Sequence, residues 1–192
     1  MKTPVIQSSK ILALVVFFLI GLNLQAQQKL NLKAGSQEFS VKGTSTLHDW
    51  HMTSEEGEGF VQVSESTEGV LNFTGSEITL VAETLKSGKR GMDKNAYKAL
   101  KTDEFPNIQF VLVSCNMESA TTGKASGKLT IAGTSRNVIF DITVEKSGNS
   151  LTVKGSTDFR LTDYQIDPPT ALMGTIKTGD DVTIEFNATF QN

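Results

Sequence analysis

The 192-residue chain contains one cysteine, two histidines, one tryptophan and four prolines. A lone cysteine excludes an intramolecular disulfide framework and any cysteine-rich zinc module. With so few histidines and thiols there is little from which to assemble a nucleophile, a base or a metal-ligand set, so binding is favoured over catalysis. Charged residues make up only 20% of the chain and the formal net charge is −3, which leaves no broad positive field for nucleic acid. Hydrophobic residues, at 38%, are enough for a packed core and exclude wholesale disorder. No Pro- or Ser-rich linker and no internal repeat divides the chain, and its length fits one domain.

One long apolar run is present, Ile11 to Leu22, preceded by Lys2 and Lys10 and followed by Leu24 and Ala26 at the −3 and −1 positions before Gln27. As a helix the run reaches only ~18 Å, short of the ~30 Å of a hydrocarbon core. The expectation is a secretory signal peptide over 1–26 and a periplasmic or secreted mature domain over 27–192, beginning at Gln27. Loss of Lys2 and Lys10 leaves 16 cations against 21 acids, a net −5. An exported fold without a cysteine pair must hold by packing alone. Cys115, with no neighbouring histidine or basic cluster, reads as a small buried or half-buried side chain rather than a nucleophile.

Forty of the 166 residues after Ala26 are Val, Ile or Thr, a β-rich composition. Alternation supports it. Phe39, Val41 and Gly43 share a face, as do Ile108, Phe110 and Leu112. Val138, Phe140, Ile142 and Val144 follow, then Leu151 to Phe159, then Val182, Ile184, Phe186, Ala188 and Phe190. These are half-buried antiparallel strands. Turns are expected at Gly57-Glu58-Gly59, Thr67-Glu68-Gly69, Thr122-Gly123-Lys124, Ser147-Gly148-Asn149 and Thr178-Gly179-Asp180. About eight or nine strands result, the rhythm of a sandwich or barrel. Phe60-Val61 and Val111-Leu112-Val113 are apolar on both faces, so the alternation does not settle which of their side chains point inward.

One helix interrupts the strands over Met92–Lys101, with Met92, Ala96, Ala99 and Leu100 on its apolar side and Phe105-Pro106 as its stop. Such a helix serves to cover an opening or an edge. From Lys86 to Lys101 there are six cations and one acid, Asp93. This +5 segment reads either as a solvated face or as an anion site at a cavity mouth or membrane surface.

His48-Asp49-Trp50-His51 is the densest polar-aromatic cluster. Residues three apart on a strand face opposite ways, so a shared metal would require a turn and further ligands. The plainer reading is a bend with Trp50 packed inward. No Gly-x-Ser-x-Gly elbow is present. Ser87-Gly88-Lys89-Arg90-Gly91 lacks the spacing of a phosphate loop. Asp167-Pro168-Pro169-Thr170 reads as a rigid loop closing one end.

The stretches Gly43 to Trp50, Met92 to Leu100 leading into Phe105-Pro106-Asn107-Ile108-Gln109-Phe110, Gly127 to Thr134, and Thr162 to Pro169 together resemble the YceI-like family of exported lipid-binding proteins. The resemblance implies an all-β, antiparallel, lipocalin-like barrel of about eight strands with one short helix covering an end. Its interior is expected to hold an isoprenoid or fatty-acyl lipid, without a cofactor. Trp50, Tyr97, Leu100, Phe110, Phe140, Phe159, Ile184 and Phe186 are the expected ligand contacts, with Lys89, Arg90, Lys94 and Lys98 meeting a headgroup or an anionic membrane surface. The competing reading is a non-enzymatic envelope interaction module whose barrel is filled with side chains. An enzyme acting on the lipid, through His48 and Asp49, ranks below both.

Overall fold

Period-two sequences build this protein almost entirely, and backbone pairing carries them into a closed ring. The computed structural model describes residues 27–66 and 69–192; the expected signal peptide, 1–26, and Thr67 and Glu68 of one expected turn lie outside the described residues. The strands are β1 (Gln28–Ser45), β2 (Trp50–Ser54), β3 (Glu58–Glu65), β4 (Leu71–Val81), β5 (Asn107–Met117), β6 (Thr122–Ile131), β7 (Thr134–Ser147), β8 (Ser150–Arg160), β9 (Thr170–Ala171) and β10 (Ile176–Gln191). Helix α1 spans Arg90–Leu100, and 3-10 turns occupy Ala82–Thr84 and Leu161–Tyr164. Every pairing is antiparallel, and β1-β3-β4-β5-β6-β7-β8-β10 closes on itself through β1 and β10. The expected eight or nine strands are thus ten among the described residues, eight of them in the ring and the short β2 and β9 appended to it.

Closure rests on β1. Its first residues, Gln28–Asn31, pair with β3, Phe39–Gly43 pair with β2, and the other edge runs along β10 from Asn31↔Gln191 to Ser45↔Thr178. Between the two partners the register with β10 slips after Leu32, and the buried Gln37 side chain spans the gap, its Nε2 donating to the Glu55 carbonyl at 2.8 Å.

The expected inward faces are observed. Phe140, Ile142 and Val144 of β7, Leu151 and Val153 of β8, and Val182, Ala188 and Phe190 of β10 are buried. The two ambiguous stretches resolve. Val61 is buried while Phe60 lies outside, under the Lys29 ammonium at 3.9 Å from its ring centre. Leu112 points in, and a bulge after it turns Val113 out to 73% exposure and returns Cys115 to the interior.

Two expected turns are instead strand. Thr122-Gly123-Lys124 opens β6, and the chain reverses just before it, where the Ser119 hydroxyl accepts the Thr121 and Thr122 N–H groups. Thr178-Gly179-Asp180 lies within β10, where Thr44 of β1 opposes the three residues Gly179, Asp180 and Asp181. That glycine marks a bulge. Helix α1 ends at Leu100, one residue short of the expected Lys101, and what ends it is not Phe105-Pro106 but the left-handed backbone of Lys101 (φ 53°), followed by a Thr102 N–H bonded to the Tyr97 carbonyl at 3.2 Å.

Three phenylalanines cross the interior as an edge-to-face ladder, Phe110 to Phe140 at 5.4 Å and Phe140 to Phe186 at 5.5 Å between ring centres. Its two outer rings each lie over a glycine. A Cβ on Gly127 would sit 2.4 Å from the Phe110 ring, and one on Gly155 would sit 2.6 Å from Phe186. Gly127→Ala is therefore expected to overpack the barrel and lower stability by ~1–3 kcal/mol, read from urea unfolding midpoints.

Tyr164, 1% exposed, packs edge-on against Phe159 at 4.9 Å, and its hydroxyl has no hydrogen-bond partner among the described residues. Burial pushes this phenol up to about 12. Unfolded tyrosine ionises near pH 10, so between about pH 10 and 12 the unfolded chain releases a proton that the folded chain keeps, and stability falls across that window. Tyr164→Phe removes the orphaned hydroxyl. It is expected to raise stability at neutral pH by ~1 kcal/mol and to flatten the alkaline decline, measured by thermal unfolding against pH.

Candidate functional site

The ring leaves a cavity of about 1010 Å³ inside the barrel. Eight strands enclose an interior that either fills with side chains or holds one small ligand, and here a space at the large end of ligand-pocket volumes remains. The filled-barrel alternative is not the observed one. Along β10 the lining residues Ile184, Phe186, Ala188 and Phe190 repeat every second position, ~20 Å of strand, so the cavity is elongated.

One end of the cavity is spanned by α1. Met92, Ala96 and Tyr97 pack on Met52, Leu80 and Leu85, while Ala99 and Leu100 pack on Leu129, Ile131, Tyr164 and Ile166. The helix therefore bridges opposite walls, as the apolar side of the sequence pattern requires. Its approach is fixed at three points. Lys86 pairs with Thr53 of β2 through both backbone bonds, at 2.8 and 2.9 Å. Asp93 Oδ1 accepts the Ser87 N–H at 2.8 Å and the Ser87 hydroxyl at 2.5 Å. Burial alone would raise the Asp93 carboxyl, but these two bonds, together with the nearby Lys86 cation, outweigh it and hold the group below its ordinary range. The Ser87–Gly91 loop, which lacks phosphate-loop spacing, thus meets the protein's own carboxylate at Ser87. The third point is the Thr102 hydroxyl, which donates to Glu83 Oε1 at 2.7 Å.

Seven of the eight expected ligand contacts line this cavity: Trp50, Leu100, Phe110, Phe140, Phe159, Ile184 and Phe186. Tyr97 does not. Its hydroxyl lies 2.8 Å from the Leu85 carbonyl and 3.0 Å from that of Glu83 and accepts from Lys86 Nζ at 2.7 Å. Tyr97 anchors the helix from beneath rather than facing the interior. Of the four expected headgroup cations, Lys89 and Lys94 line the cavity, and Arg90 and Lys98 stand exposed on the helix outside it. Among the described residues the lining contains no Asp or Glu, so the charged side chains that line the cavity are the cations Lys89 and Lys94.

Trp50 is held by its indole N–H, which donates to the Thr44 carbonyl at 2.9 Å, and its ring covers Gly43, where a Cβ would come within 2.5 Å. His48 also lines the cavity, with Nδ1 2.6 Å from the Asp49 carbonyl oxygen. His51 is exposed on β2 opposite Lys42, so the two imidazoles of the His48-Asp49-Trp50-His51 segment share no site. Cys115 is half-buried in the cavity wall, and burial pushes its thiol up, away from thiolate character.

Several lining residues went unread in the sequence. Ile78, Leu80, Leu129 and Ile166 belong to strands or loops whose inward face no alternation had singled out. Pro169 lines the cavity, so the Asp167–Thr170 loop does close this end. It is placed by Asp180, whose carboxylate accepts the Thr162 N–H at 2.9 Å and hydroxyl at 2.7 Å. The following tip, Leu172-Met173, also lines the opening and carries no sequence signal for it.

Known structures share this architecture. Burkholderia cenocepacia BcnA is 14% identical with a TM-score of 0.68, over 82% of this chain and 98% of that one. A polyisoprenoid binding domain from Saccharophagus degradans, implicated in plant cell wall breakdown, is 12% identical with a TM-score of 0.61, over 84% and 97%. The Campylobacter jejuni YCEI protein is 14% identical with a TM-score of 0.57, over 71% and 84%. At such identities the likeness is one of fold. No curated protein matches the chain. The family model for the YceI-like domain matches residues 28–190, the whole barrel from β1 to β10, and the chain belongs to the YceI-like domain family.

Proposed function

We propose that the protein is an exported carrier that sequesters an isoprenoid or other long-chain lipid in its barrel. The observation that carries this reading is the elongated cavity of about 1010 Å³ whose lining, among the described residues, holds Lys89 and Lys94 and no Asp or Glu. Each methylene buried from water contributes ~0.8 kcal/mol, so a long chain needs few polar contacts to be retained. Phe110, Phe140, Phe159, Ile184 and Phe186 would hold the chain, with Trp50 and Leu100 nearer the opening. The polyisoprenoid-binding neighbour of the same fold supports this ligand class. Export through a signal peptide over 1–26, giving a periplasmic or secreted domain from Gln27, places such a carrier beside membranes that supply its cargo. No catalytic step and no cofactor is assigned.

Lys89 and Lys94 are the groups suited to an anionic headgroup, a phosphate or carboxylate, because they line the cavity itself. Arg90 and Lys98 add to the field from outside. Native mass spectrometry of residues 27–192, purified without detergent, is expected to show a lipid adduct, or uptake of an added polyprenyl phosphate. Protein that stays ligand-free against a panel of long-chain lipids contradicts the reading.

The double change Lys89→Ala, Lys94→Ala is expected to weaken an isoprenyl phosphate ~3–10-fold and leave the uncharged isoprenol unaffected, since exposed ion pairs contribute at most ~1 kcal/mol each. Added salt should shrink the difference. Competition binding of the two ligands checks it.

A further inference from the structure

Three of the six most exposed large apolar side chains among the described residues stand together around the opening of the cavity. Leu47 is 64% exposed, Leu172 71%, and Met173 is fully exposed, and all three line the same cavity. Leu172 and Met173 are the two central residues of the Ala171–Gly174 turn, which opens the four-residue loop joining β9 to β10. The Gly174 N–H bonds back to the Ala171 carbonyl at 3.1 Å, and both central residues are left-handed, at φ 48° and 58°. That is a type I′ geometry, for which Asn-Gly is the favoured pair because a Cβ is poorly tolerated there. Two large apolar side chains therefore sit where the backbone disfavours them, and they bury nothing in the fold. A local preference overridden without a packing gain points to a role at the surface.

The tips are presented on fixed supports. Leu47 belongs to the β1–β2 turn, in which the Ser45 hydroxyl accepts the N–H groups of Leu47 at 3.2 Å and His48 at 3.1 Å. That turn is joined to the hairpin by the Thr46 N–H to the Lys177 carbonyl at 2.9 Å and by the Lys177 N–H to the Thr46 hydroxyl at 3.1 Å. The charge beside them is mainly basic. Lys89 and Lys94 face the opening and Lys177 lies exposed in the hairpin, while Asp93 is engaged by Ser87. Asp49 and Asp167 are the exposed acids of the adjoining loops.

We propose that Leu47, Leu172 and Met173 form a membrane-docking edge that inserts into an anionic lipid surface and sets the cavity mouth against the bilayer. Apolar tips flanked by cations match the acyl and phosphate layers of such a surface. Three separate side chains around a hole fall well short of the ~800 Å² per partner that a stable protein interface buries, which argues against a second copy as the occupant. The edge rests on the carrier reading for its purpose, since docking there is the route by which a lipid enters.

The test uses residues 27–192 in co-sedimentation with phosphatidylcholine vesicles, with and without phosphatidylglycerol. The variant Leu172→Asn, Met173→Gly supplies the pair that the turn prefers, so its melting temperature should equal or exceed that of the parent. The parent should sediment with the anionic vesicles, and the variant should bind them at least roughly fivefold more weakly. Parent protein left in the supernatant with both vesicles overturns the edge, as does a variant that binds like the parent. A parent that self-associates while the variant is monomeric also overturns it, in favour of a second copy. Native mass spectrometry separates the two readings. A lipid adduct on protein that ignores vesicles removes the docking edge alone, whereas docking without any lipid uptake removes the carrier reading.

Discussion

The pairing of β1 with β10 is the constraint on which the rest of the molecule depends. A sheet of this length left open would expose two rows of unpaired backbone groups, and closure removes both. Closure is achieved because β1, at 18 residues, is long enough to hold β3 at one end, β2 at the other and β10 along its opposite edge. The cost of serving three partners is the register slip after Leu32, and the Gln37 amide satisfies the Glu55 carbonyl at that place. With eight strands closed, the interior has a width that side chains can only partly fill. Glycines at 127 and 155 let Phe110 and Phe186 lie flat to the wall, so the aromatic ladder lines the space rather than plugging it.

What the barrel does at its open end follows from where α1 is pinned. Backbone pairing of Lys86 with Thr53, the Ser87–Asp93 bonds and the Tyr97 hydroxyl fix the helix across two walls. That placement brings Lys89, just before the helix, and Lys94, one turn in, to the opening, and leaves Arg90 and Lys98 exposed outside it. An apolar interior with a basic rim suits an amphiphile with a long chain and an acidic head. The same rim carries the Leu172-Met173 tip, placed there by the Asp180–Thr162 bonds and the Thr46–Lys177 pairing.

Much of this was legible in the residues. The alternation in β7, β8 and β10 named the inward side chains, because a strand with one wet face writes its orientation into every second residue. The helix was legible for the same reason at a different period, and its apolar side does meet the cavity. Tyr97 was misplaced because an aromatic next to that apolar side looks like a wall residue, and only the Leu85 and Glu83 carbonyls show that its hydroxyl is held outside. Gly123 and Gly179 imitated turns because a glycine needed for close strand approach or a bulge looks the same in sequence as one needed for a reversal. The β6–β7 reversal, Ala132-Gly133, falls within the Gly127 to Thr134 stretch and is not among the expected turns, with Ala132 left-handed at φ 48°. The Leu172-Met173 turn was illegible in principle, since its residues oppose the geometry they adopt.

The proposed function makes the space between these strands a binding chamber with its polar end at Lys89 and Lys94. A crystal structure of residues 27–192 incubated with a long-chain isoprenyl phosphate addresses it most directly. Continuous density is expected for the chain along Phe110, Phe140 and Phe186, with the phosphate beside Lys89 and Lys94. An interior collapsed onto its own side chains, or a ligand bound on the outer surface with the chamber empty, would contradict it.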